Sequence, residues 1–248
     1  MTPSEKDTPK IPTILLYPTS KSAYSIFNPN DWEGDSKSIV TSCAAQYSLL
    51  EYQVTKLPSL IQYSRGICET RFMELNNHWE KSPWGINKGD YLVEVPEFHL
   101  HIQAFLATIK TFLDLIVQLI STEGIVNKTV HGFHKKGKQV GGEVLQILET
   151  KAKPERTNTA RELFKLIDGQ KTSWIDQAVN VRDVLVHPVE GLAQVMFRLE
   201  IGQMKGNLKL LKIIQPSLAG VQFDQYSHMT LMQIDGFSRS YVDIIKAA

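Results

Sequence analysis

The stretch from Glu97 to about Ser121 constrains the fold more than any other part of the chain. Its apolar positions, among them Phe98, Ile102, Phe105, Ile109, Phe112 and Ile116, recur at helical spacing and spread too far round the helix for one contact face. Such a helix needs neighbours on two or more sides, so a helical bundle built around it is expected. A membrane span would need about 20 mostly apolar residues. Here Lys110 and Asp114 interrupt the run, so a buried helix and no membrane partner are expected. Asp114 stands among Phe112, Leu113, Leu115 and Ile116, where a charge is costly unless paired. Two partners suit it: Lys110 one turn earlier, as an ordinary i,i+4 pair, or Arg182 on a neighbouring helix.

The remainder of the chain supplies candidate neighbours. Residues 1–34, with Pro12, Pro18 and Pro29 and scattered aromatics, suggest an irregular N-terminal arm. Asp35-Ser36 suits the cap of a helix from about Lys37 to Lys56, and Pro58 is expected to break or restart it before a second helix to about Trp79. Lys81 to Asp90 reads as a loop, and Tyr91 to Val95 as a short extended run ending at Pro96. Further helices are expected over Glu143–Lys151 and Thr159–Ile167, with a turn at Asp168-Gly169 before another that begins near Thr172. After Pro188 the period changes to alternation at Phe197, Leu199 and Ile201, then a Gly-containing turn and Leu208–Ile214, which reads as a β-hairpin. A helix from about Ser227 to Ile245 closes the chain. The expected division is an arm (1–34), a helical bundle (35–190), and a hairpin with terminal helix appended to it (191–248).

A chain of 248 residues can bury a sizeable core. Its net charge of +1 gives no global basic field, so any nucleic-acid contact must come from a local patch. Cys43 and Cys68 make neither a disulfide framework nor a zinc signature, and Met1–Lys10 is polar with no h-region after it. A reducing cytoplasmic location is expected.

Chemistry concentrates at Arg182-Asp183-Val184-Leu185-Val186-His187, which closes the helix that begins near Thr172 and is followed at once by Pro188. A guanidinium fork suits phosphate oxygens, and an imidazole exchanges protons near neutral pH. The pattern is loose by itself: a histidine in the last turn of a surface helix also suits the macrodipole. On an ideal helix, residues five apart are rotated by about 140°, so Arg182 and His187 do not stack on one face. A site shared between two helices resolves that geometry.

A helical bundle whose last core helix ends in Arg-x4-His, with a polar residue after the arginine, resembles the HEPN superfamily. The resemblance covers roughly residues 37 to 190, and the later hairpin and tail resemble embellishments of some uncharacterised bacterial members. It implies a mainly α fold, an up-and-down bundle with a small β-hairpin and terminal helix, and a homodimer in which two motif helices meet. Many members are metal-independent ribonucleases acting as toxins or in antiviral defence. Others have lost activity and serve as binding or dimerisation modules.

The resemblance therefore implies an RNA-cleaving composite site with His187 and Arg182 as catalytic groups and no cofactor. Asp183 suits orienting a neighbouring Arg or His, or plain solvation, and Asp114 is a further support if it pairs with Arg182. A neutralising antitoxin or other defence-system partner belongs to the same expectation. The sequence shows no His/Cys or carboxylate spacing suited to a metal. The segment from His131 to Gly142 reads as a flexible basic loop: Lys135, Lys136 and Lys138 suit an RNA backbone, although short basic loops are more often simply solvated. Two alternatives to the ribonuclease stay open: a catalytically silent module of the same family acting through a protein partner, and an unrelated helical protein in which Arg182 and His187 coincide by chance.

Overall fold

A computed structural model describes residues 19–78, 89–186, 195–204 and 207–248. The described chain is mainly helical, with a small antiparallel sheet. The central element is α3 (Pro96–Ile116), started by Pro96 in its first turn, where a missing amide hydrogen costs nothing. Phe98, Ile102, Phe105, Ile109 and Phe112 are among its fully buried side chains. It packs against α2 (Gly34–His78) and against the motif helix α7 (Asp176–Val186). By length and composition the stretch Pro96–Thr122 could cross a membrane, and 56% of its most apolar window is buried inside the fold.

Three helical boundaries depart from the sequence expectation. Residues Lys21–Ile26 form a helix, α1, capped by Ser20, and Pro29–Asp31 form a 3-10 turn, so this part of the arm is not irregular. Ala23, Ile26 and Phe27 anchor it in the core. Pro58 does not end α2, which runs 45 residues through it. An interior proline loses one hydrogen bond and crowds the preceding turn, at about 3 kcal/mol. Burial of Leu50, Val54 and Leu57 before it and of Ser64 and Cys68 after it offsets that cost. Asp168-Gly169 is likewise helical: α6 (Thr157–Gln170) passes through a π turn (Lys171–Ile175) directly into α7. The wider turn absorbs an extra residue, which lets Trp174, Ile175, Ala178 and Val179 face the core already faced by Leu163 and Ile167.

The expected hairpin forms as β2 (Phe197–Met204) and β3 (Asn207–Ile214), with a register shift between Glu200 and Ile201. The extended run before α3 joins it as a third strand, β1 (Gly89–Val93), with Tyr91 opposite Leu199. Phe197, Leu199 and Ile201 point inward while Arg198 and Glu200 point away. An aromatic edge fastens the sheet to α3, where Phe98 meets Phe197 at 4.9 Å; Phe98 and Phe105 also meet Phe223, at 5.8 and 5.7 Å.

Short helices α4 (Leu119–Thr122) and α5 (Gly142–Thr150) flank the basic loop. A two-strand turn, β4 (Ser217–Leu218) with β5 (Val221–Gln222), leads into α8 (Phe223–Lys246). The terminal helix is not an appendage. It packs against α1, α2 and α6, buries Ile234, Phe237 and Tyr241, and accepts the Tyr47 hydroxyl hydrogen on Asp235 Oδ1 at 2.8 Å. Its last lysine, Lys246, lies over the Trp32 ring and bonds Asp31 at 2.6 Å, tying the two ends of the described chain together.

Candidate functional site

Arg182 and Asp183 occupy the final turns of α7, where the unpaired carbonyls of a helix end favour a cation. Arg182 Nη1 donates to Asp183 Oδ1 at 3.2 Å, and the ammonium of Lys135 donates to the other carboxylate oxygen at 2.5 Å. All three side chains are about one third exposed, at 38%, 32% and 37% for Arg182, Asp183 and Lys135. Two cations, one adjacent in sequence and one 48 residues away, thus share the Asp183 carboxylate. Partial burial pushes the Asp183 carboxyl up, but Lys135 and then Arg182 outweigh it and hold the group below the usual carboxylate range. Arg182 Nε is buried and has no hydrogen-bond partner. His187, which follows α7 directly, lies outside the described residues.

Lys135 reaches the motif helix because its loop is pinned, not flexible. Asp114 Oδ1 accepts the Phe133 amide at 2.6 Å and the Lys110 ammonium at 2.5 Å. Gln118, just past the end of α3, donates to the His131 carbonyl at 3.1 Å. Any side chain at Gly132 would begin 2.8 Å from Asp114 Oδ1, so the backbone can approach the carboxylate only as glycine. Phe133 is buried, and its ring fills the space beside Gly141, whose φ of +63° and lack of room both require glycine. The glycines expected to loosen the loop serve instead to pack it.

The pairing of Asp114 with Arg182 is not formed: Asp114 binds Lys110 and the loop, and Arg182 binds Asp183. Asp114 nevertheless connects to the motif, through Phe133 and Lys135. Lys136 and Lys138 stand exposed on the loop. His99 contacts Gln103 and Glu94, and His101 meets the Phe223 ring edge-on, so these two histidines serve separate structural contacts. Among the described residues, no three His, Cys, Asp or Glu side chains converge as metal ligands do.

One residue of this corner escaped sequence reasoning. Asp176 stands seven residues before Asp183, on nearly the same side of α7. Its Oδ1 is buried without a partner. Burial raises its pKa, opposed first by Lys171 and later by Lys135, with Asp168 adding to the rise. The seven-residue spacing was its only sequence signal.

No protein-family model, curated protein or solved structure matches this chain.

Proposed function

We propose that the chain is a metal-independent endoribonuclease of the HEPN type, of the toxin or antiviral-defence class, whose site is completed when two motif helices meet in a homodimer. The observation that carries this reading is the convergence of Arg182, Asp183 and Lys135 at the end of α7, immediately before His187. A phosphodiester needs cationic donors beside a proton-transfer group, and this corner supplies the cations on a structured frame.

In the proposed reaction the substrate's own 2′-hydroxyl attacks the neighbouring phosphorus. The bond to the 5′ oxygen breaks, leaving a 2′,3′-cyclic phosphate on one product and a 5′-hydroxyl on the other. His187 exchanges the proton, a role typically contributing about 10²–10⁴-fold. Arg182 stabilises charge developing on the phosphoryl oxygens, and Asp183 holds the guanidinium in place beforehand. A second histidine, from the other copy, allows one imidazole to take the 2′ proton while the other protonates the leaving oxygen. RNA is then the required substrate, because DNA lacks the nucleophile.

The closed Lys135–Asp183–Arg182 link also favours a second reading, a catalytically silent module of the same family in which these ions merely brace the loop. Labelled RNA incubated in EDTA with the wild type and with His187→Ala separates the two. The ribonuclease reading expects cleavage with a cyclic phosphate end in the wild type and loss in the variant. Equal inertness of both proteins across diverse RNAs would favour the silent module.

A further inference from the structure

Three features of the described residues are candidates for a further role. The groove between α2 and α3 near Gln53 and His101 holds about 510 Å³, but the buried Gln53 oxygen is closed off from it. The open face of α2 around Tyr63 and Arg71 has nothing seated on it to identify an occupant. The chain of contacts from Asp114 to Arg182 carries more.

We propose that Lys135 and Arg182 form a clamp for a single phosphodiester within one protomer, and that Asp114 is the residue that positions it, through the Phe133 amide. The ligand class rests on the reading above, but the clamp itself rests on geometry. Asp183 bridges both cations with its two oxygens, one bond to each. A phosphodiester likewise presents two anionic oxygens, so it can take the place of that carboxylate without rebuilding the frame.

The placement of Lys135 is determined at the other end of the loop. Its backbone follows two residues after Phe133, whose amide is fixed on Asp114. The close approach at Gly132 and the Phe133 ring against Gly141 prevent the loop from shifting along α3. Asp114 therefore acts on the site from across the loop, without touching Arg182. Asp183 serves as an internal anion that keeps the cations together until a phosphate displaces it.

The test is fluorescence anisotropy with an end-labelled 2′-O-methyl oligoribonucleotide of mixed sequence, which has the phosphates but no nucleophile. Lys135→Ala and Arg182→Ala are each expected to weaken binding about tenfold. The double variant should bind little worse than the poorer single one, because both cations hold one phosphate. Additive losses, or an unchanged Lys135→Ala, would overturn the clamp. Asp183→Asn should tighten binding about threefold or more, by removing the competing charge; weaker binding would show a merely bracing role and overturn it as well. Asp114→Ala should match Lys135→Ala and add nothing on top of it, while Asp114→Asn, which retains an acceptor for the Phe133 amide, restores most of the affinity. Failure of that rescue would remove Asp114 from the proposal. Coupled binding without cleavage of unmodified RNA would leave the clamp standing and sink the ribonuclease reading. Cleavage lost in Arg182→Ala but intact, with intact binding, in Lys135→Ala would do the reverse. No binding by the wild type overturns both.

Discussion

The aromatic seam joining α3, α8 and β2 and the charged corner at the end of α7 lie in one molecule but follow opposite rules. In the seam, Phe98, Phe105, Phe197 and Phe223 are completely buried and meet edge to face. Its stability comes from area removed from water and from packing, which neither titration nor charge screening reaches. In the corner, Arg182, Asp183 and Lys135 remain partly open to solvent, and their attraction is weakened by screening. The seam holds the fold together. The corner leaves its groups exchangeable, as the proposed phosphate binding requires.

The largest effect is expected in the seam. Phe223→Ala should cost about 3–5 kcal/mol in urea unfolding, through the cavity it leaves among Phe98, His101, Phe105 and Tyr226. A loss below about 1 kcal/mol would show that the seam is not the principal brace. Gly141→Ala comes next, at about 3 kcal/mol, because it joins a left-handed backbone to an overlap with the Phe133 ring. If it were neutral, the loop would be looser than its packing indicates. Asp114→Ala should cost about 1–3 kcal/mol by orphaning the Phe133 amide.

Smaller effects separate the corner by its pH response. Asp183 has a folded pKa below its unfolded one, so its contribution is present above about pH 4 and is lost as pH falls through the lower folded value. Asp183→Asn should flatten the acid limb of a Tm-against-pH curve, and the difference from wild type should shrink in high salt. A salt-independent difference would place the residue with the seam. Asp176 has the opposite sign: its raised folded pKa means the charged form is disfavoured in the fold at neutral pH. Asp176→Asn should therefore raise the Tm slightly at pH 7, with the gain disappearing as pH falls below its unfolded pKa; a lower Tm would reveal a partner for its buried oxygen.

Much of this was readable from particular residues. The apolar spread around α3 announced a central helix, and the alternation at Phe197, Leu199 and Ile201 announced strands. Pro58 and Asp168-Gly169 misled, because local breaking tendencies of a few kcal/mol are smaller than the burial that a continuous helix secures on both sides. Glycines in the basic loop suggested freedom, whereas Gly132 and Gly141 are there because two other side chains occupy the space a Cβ would need. Spacing along a chain carries no record of such a contact. The proximity of Arg182 and Asp183 was evident, being sequential; that of Lys135 was not.

Periodicity alone was enough to establish the central helix α3, the β2–β3 hairpin and which of their faces would be buried, because those preferences act over a few residues. The partner of Asp114, the membership of α8 in the core and the arrival of Lys135 at Asp183 were settled by folding. Each depends on two distant segments competing for one position, and the winner is chosen by total packing rather than by any local preference.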